Sequence, residues 1–415
     1  MSIKADSRAF GGQDDDHFHV VCRYVERNAS HKVLRNLCWA KLVQWLTSVN
    51  HPWVRPRKPL IQFSFFNLAM IESTKVFSAE PVSIRPPRNF HPRDAALFRE
   101  RDHFVVPNAS INVYSNIVAV GRGTMRYNGK FLDECFATRR CLGQFLQRRK
   151  HWQMNAEGLI SRTSKFEKPS AWICDNWSTA YFHWFCDALP RLQALSRKQP
   201  LEELTLFLPA RAARFPYIEA SLRAFSLGDV RTLGRLQRVR CRKLFVPEHP
   251  AYTGFFRPEL MSEIRDKLRA MITSTAGNKR RVFLSRADAN RRRLKNEANL
   301  GAVLHNHGFE TVVANDLTWF EQLALFHDVS HLVSVHGAGL TNMLMMPAGS
   351  RVLEIRDSSE STPDCYLTLA SACGHYYYYA LAANKFEREH TRRRRHYFTR
   401  SLRSSNRPNG LLTKR

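Results

Sequence analysis

The clearest structural signal in this chain is the stretch His331-Leu-Val-Ser-Val-His-Gly-Ala-Gly-Leu-Thr-Asn342. An apolar strand runs into a turn with glycines at 337 and 339, and a helix is predicted to follow. Glycine lets the backbone approach a ligand closely, and the free N–H groups at the start of a helix attract an anion. The stretch therefore predicts an anion-binding turn, with a plain strand-turn-helix packing unit as the alternative.

The flanking sequence alternates between strand and helix patterns. Helices are predicted over Leu294–His307, which Gly308 ends, and from Thr318, where Glu321 completes a capping box. The predicted strands are Arg281–Ser285, Phe309–Val313, His331–Val335 and Val352–Ile355. A βαβαβαβ pattern predicts a parallel sheet covered on both faces, with ligands beyond the carboxyl ends of its strands.

The residues at these strand ends suit a phosphorylated ligand that carries a sugar ring. They are Arg286 with the cluster Arg291, Arg292 and Arg293, then His336, Gly337, Ala338 and Gly339, and finally Glu354. Arginine offers a fork of donors that matches phosphate oxygens, and a carboxylate can accept hydrogen bonds from two ribose hydroxyls. A nucleoside diphosphate fits this set. The alternatives are a solvated arginine loop, an ion-paired Glu354 and a strand-end histidine satisfied by the fold.

Three blocks of the chain resemble glycosyltransferase family 61. The first is Asn176-Trp-Ser-Thr-Ala-Tyr-Phe-His183-Trp-Phe-Cys-Asp187-Ala-Leu-Pro190-Arg191-Leu192. The second begins Ser285-Arg286 and continues through Arg291 to Asn296-Glu297, and the third joins His336-Gly-Ala-Gly-Leu-Thr-Asn342 to Pro347-Ala-Gly-Ser-Arg-Val-Leu-Glu354-Ile. The resemblance covers about residues 174–356.

This resemblance implies an α/β protein of the GT-B type, with two Rossmann-like domains, a cleft between them and a β-rich amino-terminal lead-in. It implies transfer of a sugar from a nucleotide donor with inversion at the anomeric carbon, without a required metal or other cofactor. The expected donor is UDP-linked. The nucleotide-sugar site predicted from the strand ends and the resembling blocks comprises Arg286, Arg291, Arg292, Asn296, Glu297, His336, Gly337, Ala338, Gly339, Leu340, Asn342 and Glu354.

The block around His183 offers two groups that could take a proton from an acceptor hydroxyl. Ser178 or Asn176 is predicted to cap a helix that reaches about Ala188, which places His183 and Asp187 on one face, four residues apart. We favour Asp187 as the base with His183 orienting it, and the reverse assignment is nearly as well supported. A purely structural alternative has Asp187 capping a helix that begins at Pro190.

Domain boundaries follow from proline-rich connectors and composition. Residues 1–100 form an amino-terminal extension with a predicted helix over Val33–Leu46, and 101–250 hold the β-rich lead-in and an acceptor domain. That acceptor domain starts near residue 169, with strands at Ala171–Cys174 and Leu204–Leu208, and Pro247–Pro250 is the candidate linker. Residues 251–384 form the nucleotide-sugar domain, and 385–415 form a basic tail.

The formal net charge of +28, from 64 Lys and Arg against 36 Asp and Glu, demands an anionic partner or surface unless the chain merely tolerates it. No helix-turn-helix, zinc-finger or ribonucleoprotein motif supports nucleic acid as the partner. An anionic membrane beside a lipid-linked or glycan acceptor is the better candidate. Nine scattered cysteines and no signal-like leader predict a cytoplasmic protein, peripheral on the inner face of the membrane.

Two functions therefore compete. The first is an inverting glycosyltransferase acting on a glycan or polysaccharide hydroxyl, including capsule or cell-surface polysaccharide synthesis. The second is a catalytically inactive basic protein that binds nucleic acid or acidic polysaccharide. Polar groups at several strand ends favour the enzyme, because a scaffold does not require them. Zinc binding by Cys174, His183 and Cys186 matches no common spacing, and no complete phosphate-loop or dinucleotide fingerprint is present.

Overall fold

A computed structural model describes residues 70–98, 104–127, 130–147, 163–272, 279–289, 291–357 and 363–382. All of them belong to one compact unit. The predicted helix over Val33–Leu46 and the predicted basic tail at 385–415 lie outside the described residues.

The first half of the described chain builds a seven-stranded mixed sheet and two small two-stranded antiparallel sheets, β2-β3 and β5-β6. Its strands are β1 (Met70–Phe77), β2 (Glu80–Val82), β3 (Phe104–Val106), β4 (Ala109–Val120), β5 (Arg126–Tyr127), β6 (Lys130–Phe131), β7 (Thr163–Phe166), β8 (Ser170–Ala171), β9 (Thr205–Leu208), β10 (Asp229–Thr232) and β11 (Arg238–Pro247). The sheet order is β1-β4-β11-β8-β9-β10, with β7 also on β11. Strands β8 to β11 and β7 run parallel, whereas β4 is antiparallel to β1 and β11.

The second sheet has five strands, and every pairing in it is parallel. Its strands are β12 (Arg280–Ser285), β13 (Glu310–Val313), β14 (Val329–Val335), β15 (Arg351–Arg356) and β16 (Tyr376–Leu381), in the order β13-β12-β14-β15-β16. The four strands predicted from sequence are confirmed, and β16 is an additional one. Continuous apolar runs such as Val282-Phe-Leu284 are buried, as expected for a sheet covered on both faces.

The helices are α1 (Arg139–Gln147), α2 (Tyr181–His183), α3 (Leu189–Ser196), α4 (Pro216–Leu222), α5 (Pro258–Arg269), α6 (Glu297–Asn306), α7 (Trp319–His327) and α8 (Cys365–Ala372). The predicted capping box is confirmed: Thr318 Oγ1 accepts from the Glu321 amide, and the Glu321 carboxylate accepts from the Thr318 amide. Gly308 follows α6 with φ +78°. Glycine adopts this left-handed conformation without steric cost, so it ends the helix.

Two helical predictions need correction. The segment after the glycine turn, Ala338–Met345, is a 3-10 helix, whose first tight bond runs from the Leu340 amide to the Gly337 carbonyl. The helix that carries His183 starts at Tyr181 and continues through a π-helical turn, Trp184–Ala188, into α3. Neither Asn176 nor Ser178 caps it, because both side chains bond elsewhere, and Asp187 lies inside it instead of capping a helix at Pro190.

The main hydrophobic cluster runs through both sheets, from Ile111 on β4 to Tyr379 on β16, and smaller clusters lie around Phe283 and around Phe77. Helix α5 packs on α3 from the first half and on α8 and the 338–345 helix from the second. The described residues thus form a mixed α/β fold in which the two sheets are held by common packing. Among those residues, no helix has the length and apolarity needed to cross a membrane.

Three chain segments converge at one end of the first sheet. The Gly121 amide donates to the Gln237 carbonyl at 3.0 Å, and the Ala210 amide donates to the Gly121 carbonyl at 2.8 Å. The turn after β4, the segment after β9 and the turn before β11 therefore form one corner of the molecule.

Residues 83–91 cross from the first half of the chain onto strand β16. The Arg88 amide donates to the Tyr377 carbonyl at 2.8 Å. The Asn89 side chain bonds both the amide and the carbonyl of Tyr379, and the His91 amide donates to the Tyr379 hydroxyl. These bonds occupy the free edge of β16, on the side away from β15.

We predict that Gly121→Ala destabilises the protein. An added Cβ would lie 1.8 Å from the Gly234 carbonyl oxygen, so the backbone must move, at a cost of about 1–3 kcal/mol in the free energy of unfolding. The control is Gly143→Ala in α1, where nothing lies within 4 Å and a gain of about 0.5–1 kcal/mol is expected. Denaturant unfolding measures both. Equal stability of the two variants would contradict the close approach of these segments.

Candidate functional site

A cavity of about 980 Å³ lies between the carboxyl ends of strands from both sheets. Its walls come from four segments, which follow β8, β9, β13 and β14. The lining residues are Asn176, Trp177, Thr179, Ala180, Tyr181, His183, Phe215, Pro216, Tyr217, Ala314, Asn315, Leu317, Thr318, Trp319, Gln322, Ala338, Gly339 and Asn342. The predicted position of the site, beyond the ends of parallel strands, agrees with this cavity.

One wall presents a histidine–carboxylate pair. His183 Nδ1 lies 2.6 Å from Asp187 Oδ2, four residues along the same helix. Thr253 Oγ1 donates to the same carboxylate oxygen at 2.9 Å. The His183 side chain is 23% exposed and lines the cavity, whereas the Asp187 side chain is 4% exposed and does not. Since Nδ1 is bonded, only Nε2 of His183 is left to meet a ligand.

The preference for Asp187 as the acceptor-facing base is therefore corrected. Its carboxylate is buried behind His183, and the bonded oxygen is shared between His183 and Thr253. In this arrangement Asp187 fixes the ring orientation and tautomer of His183, and the imidazole is the group that meets the cavity. The reverse assignment, with His183 as the proton acceptor, fits the geometry.

A second histidine–carboxylate pair, missed from the sequence, supports the same wall. Asp175 Oδ1 accepts from the amides of Trp177 and Ser178 and from the Ser178 hydroxyl, and Oδ2 lies 2.9 Å from His249 Nε2. Burial alone would raise the pKa of Asp175, but the hydrogen bond and charge of His249 hold it below its ordinary value. Asp175 thereby fixes Trp177, whose ring lies 4.9 Å from that of His183. The spacing Asp-x-x-Ser, from Asp175 to Ser178, is typical of such a turn and is the sequence signal that could have indicated it.

The opposite wall is the glycine turn with Arg286 behind it. A Cβ at Gly337 would lie 2.1 Å from Arg286 Nη1, so the guanidinium packs directly on the turn. Arg286 Nη2 donates to the Arg291 carbonyl at 2.9 Å. Burial, and to a lesser extent the charge of Arg292, lowers the pKa of Arg286 from its ordinary value. Arg286 and the 336–339 turn thus lie next to each other, as the strand ends predicted.

Glu297 supports the wall that contains the glycine turn, because its carboxylate bonds the chain at the end of β12. Its Oε1 accepts from the Arg286 amide at 2.9 Å and from the Ser285 hydroxyl, so it fixes the end of β12. Arg292 and Asn296, also predicted from the second block, are not among the residues that line the cavity. Arg292 has a left-handed backbone with φ +57°, and Asn296 precedes α6 with an exposed side chain that makes no capping bond.

His336 and Glu354 form a buried pair rather than a ribose site. His336 Nδ1 bonds Glu354 Oε1, and the Tyr377 hydroxyl donates to Glu354 Oε2 at 2.5 Å. Glu354 has no exposed area. The expectation that Glu354 accepts bonds from ribose hydroxyls is corrected, because both of its oxygens are occupied inside the core. Its contact with His336 instead supports the start of the glycine turn.

Asn342 connects the two walls. The Tyr181 hydroxyl donates to Asn342 Oδ1 at 2.5 Å, and Asn342 Nδ2 donates to Gln322 Oε1 at 3.1 Å. Gln322 Nε2 in turn donates to the carbonyls of Ala314 and Leu317. Burial raises the pKa of Tyr181, so its hydroxyl keeps its proton and stays a donor. The amide of Asn342 is therefore engaged by the protein.

The other predicted turn residues divide by exposure. Ala338 is exposed and Gly339 is half-buried, and both line the cavity. Leu340 is fully buried and belongs to the core, so its side chain is not a ligand contact. Among the described residues, no three His, Cys, Asp or Glu side chains are grouped to hold a metal, and the seven described cysteines are free thiols.

Comparison with protein families matches residues 181–353 to the family described as Glycosyltransferase 61. The EGF domain-specific O-linked N-acetylglucosamine transferase of Bos taurus is 28% identical over 130 residues, which are 30% of this chain and 24% of that relative. Its counterpart from Rattus norvegicus is 30% identical over 105 residues, 24% of this chain and 20% of that relative.

The matched stretch thus spans about a quarter or less of these relatives. The limits of the family match, 181–353, enclose His183, Asp187, Arg286 and the glycine turn. The resemblance seen in the sequence is confirmed in that residues 181–353 of this chain match the family described as Glycosyltransferase 61, and its similar relatives are named as glycosyltransferases.

Proposed function

We propose that this protein is an inverting glycosyltransferase that moves a sugar from a nucleoside-diphosphate sugar, UDP-linked, to a hydroxyl of a glycan acceptor. One observation carries the proposal. A single cavity has a histidine oriented by a buried carboxylate on one side, and on the other a glycine turn backed by an arginine. These are the two elements that a displacement at an anomeric carbon requires.

The chemistry is a single displacement. His183 Nε2 takes the proton of the acceptor hydroxyl. The oxygen of that hydroxyl attacks the anomeric carbon, and the bond from the carbon to the diphosphate oxygen breaks. The electron pair leaves with the diphosphate. Arg286 and the amides at the start of the 338–345 helix stabilise the charge that grows there. Attack opposite the leaving group inverts the configuration at that carbon.

The arrangement we propose is GT-B-like, with the first sheet supplying the acceptor wall and the second the nucleotide wall. Charge compensation is assigned to Arg286 and backbone amides, so activity is expected to persist in the presence of a chelator. The relatives' names point to UDP-N-acetylglucosamine as the first donor to assay. Their named acceptor is an EGF domain, so folded protein domains belong in the acceptor panel beside the polysaccharides expected for a capsule or cell-surface role.

The central test is hydrolysis and transfer with a panel of nucleotide sugars, in buffer with chelator, on the purified full chain. Release of UDP that depends on His183 supports the proposal. Binding of UDP without turnover of any donor, in wild type and variants alike, would leave a nucleotide-binding protein and overturn the enzymatic assignment.

We predict that His183→Ala lowers kcat by about 100-fold or more and leaves the Kd for UDP unchanged, because it removes the proton acceptor but no nucleotide contact. Asp187→Asn should lower kcat by a smaller factor, since the imidazole remains and only its orientation is impaired. Steady-state kinetics and calorimetry measure both effects, with His327→Ala, a histidine paired with Asp328 outside the cavity lining, as control. A larger loss in Asp187→Asn than in His183→Ala would return the role of base to Asp187.

Replacing Arg286 should instead weaken nucleotide binding. Arg286→Ala is expected to raise the Kd for UDP by about 10- to 100-fold, because the variant loses a charge-assisted hydrogen bond to the diphosphate. The matched control is Arg280→Ala on the same strand, where the guanidinium pairs with Glu310 at the opposite end. Titration calorimetry with UDP separates the two. Equal Kd values would remove Arg286 from the donor site.

Tyr181→Phe tests the bond between the two walls. Loss of the hydroxyl leaves buried Asn342 Oδ1 without its donor, so we expect a fall in kcat with little change in the Kd for UDP. Tyr217→Phe is the control, because its hydroxyl bonds the Thr179 carbonyl within the first wall. Kinetics well below the melting temperature of each variant exclude a simple loss of folded protein. Identical kcat values for the two variants would show that the bond between the walls is not used.

A further inference from the structure

The corner where three segments converge at the end of the first sheet is strongly basic. We call the following set the basic corner: Arg122, Arg126, Arg211, Arg214, Arg235 and Arg238. Residues 118–127, 209–218 and 230–247, which build it, contain no Asp or Glu. Arginine remains protonated under all physiological conditions, so those that also bond within the protein still contribute positive potential.

The acidic residues around this corner are already engaged. Asp229 pairs with Arg231, and the Asp175 carboxylate is buried against His249 and two backbone amides. Glu167 lies 4.0 Å from Arg242, farther along β11. Glu219, directly after the second segment, lies 3.6 Å from Arg223. The three segments themselves therefore carry only positive charges, which fits an anionic partner.

An apolar side chain stands at the tip of this basic surface. Leu236 is 48% exposed in the turn between β10 and β11, directly after Arg235. An exposed leucine beside arginines suits an anionic lipid surface, where the apolar tip enters the boundary of head groups and acyl chains while the guanidinium groups stay at the phosphates. Nucleic acid and acidic polysaccharide would use the same charges but offer no apolar phase for Leu236.

We propose that the basic corner docks this protein on an anionic membrane surface, with Leu236 inserted at the interface. The corner also adjoins the cavity. Arg214 directly precedes the lining residues Phe215, Pro216 and Tyr217. Arg211 Nη2 donates at 2.6 Å to the carbonyl of Asp175, which directly precedes the lining residue Asn176. Docking would therefore bring the acceptor wall to the membrane, where a lipid-linked acceptor can enter. This last step rests on the proposed function, whereas the docking itself does not.

The experiment is co-sedimentation of the full chain with phosphatidylcholine vesicles, with and without phosphatidylserine. Wild type should bind only the vesicles that contain phosphatidylserine, and added salt should weaken that binding. Arg122→Gln combined with Arg235→Gln should reduce the partition coefficient by about 10-fold or more, because each arginine near the surface contributes. Leu236→Ser alone should reduce it by a smaller factor that does not depend on salt.

The control is Arg88→Gln combined with Arg93→Gln, two exposed arginines outside the basic corner, which should bind as wild type does. UDP release without vesicles should be unchanged in all these variants, so a failure of docking is distinguishable from a failure of the enzyme. Equal vesicle binding by wild type and the Arg122/Arg235 variant would overturn the proposal. So would a variant that keeps vesicle binding but loses binding to heparin, because the partner would then be an acidic glycan.

Discussion

The hydrogen bond from Tyr181 to the buried side chain of Asn342 sets the distance between the two walls of the cavity. It joins the helix that carries His183 to the helix that follows the glycine turn, and the shared core beneath it keeps both in place. A buried amide that loses its partner is costly, so the pair favours one separation of the walls over others. The positions of the His183 imidazole and of the glycine turn thus depend on the same contact.

The site is built in two layers on each side. His183 faces the cavity and Asp187 holds it from within the core, while Arg286 packs on the turn and Glu297 holds the strand end behind it. Carboxylates thus lie behind the imidazole on one wall and behind the glycine turn with its arginine on the other. This order is physically sensible, because an acidic group in front would repel a diphosphate, whereas one behind orients a donor or a ring without facing the anion.

The sequence predicted the features that depend on short-range patterns. Four strands of the second sheet, the Thr318 capping box, the stop at Gly308 and the meeting of His183 with Asp187 all follow from local spacing. Features set by tertiary burial were missed or misassigned. Which member of the pair faces the cavity depends on Thr253, which is distant in sequence. Glu354 resembled a ribose ligand because its strand-end position was visible but its partner Tyr377 was not. Strand β16, Tyr-rich and without clear alternation, was overlooked although aromatic residues favour strands.

The segment at residues 83–91 has a consequence for the solution behaviour of shortened chains. Through Arg88 and Asn89 it bonds the carbonyl of Tyr377 and the amide and carbonyl of Tyr379, and so it covers part of an edge that would otherwise accept a strand from another molecule. A chain trimmed past His91 would expose that tyrosine-rich ladder. Self-association would then begin at the exposed outer edge of β16.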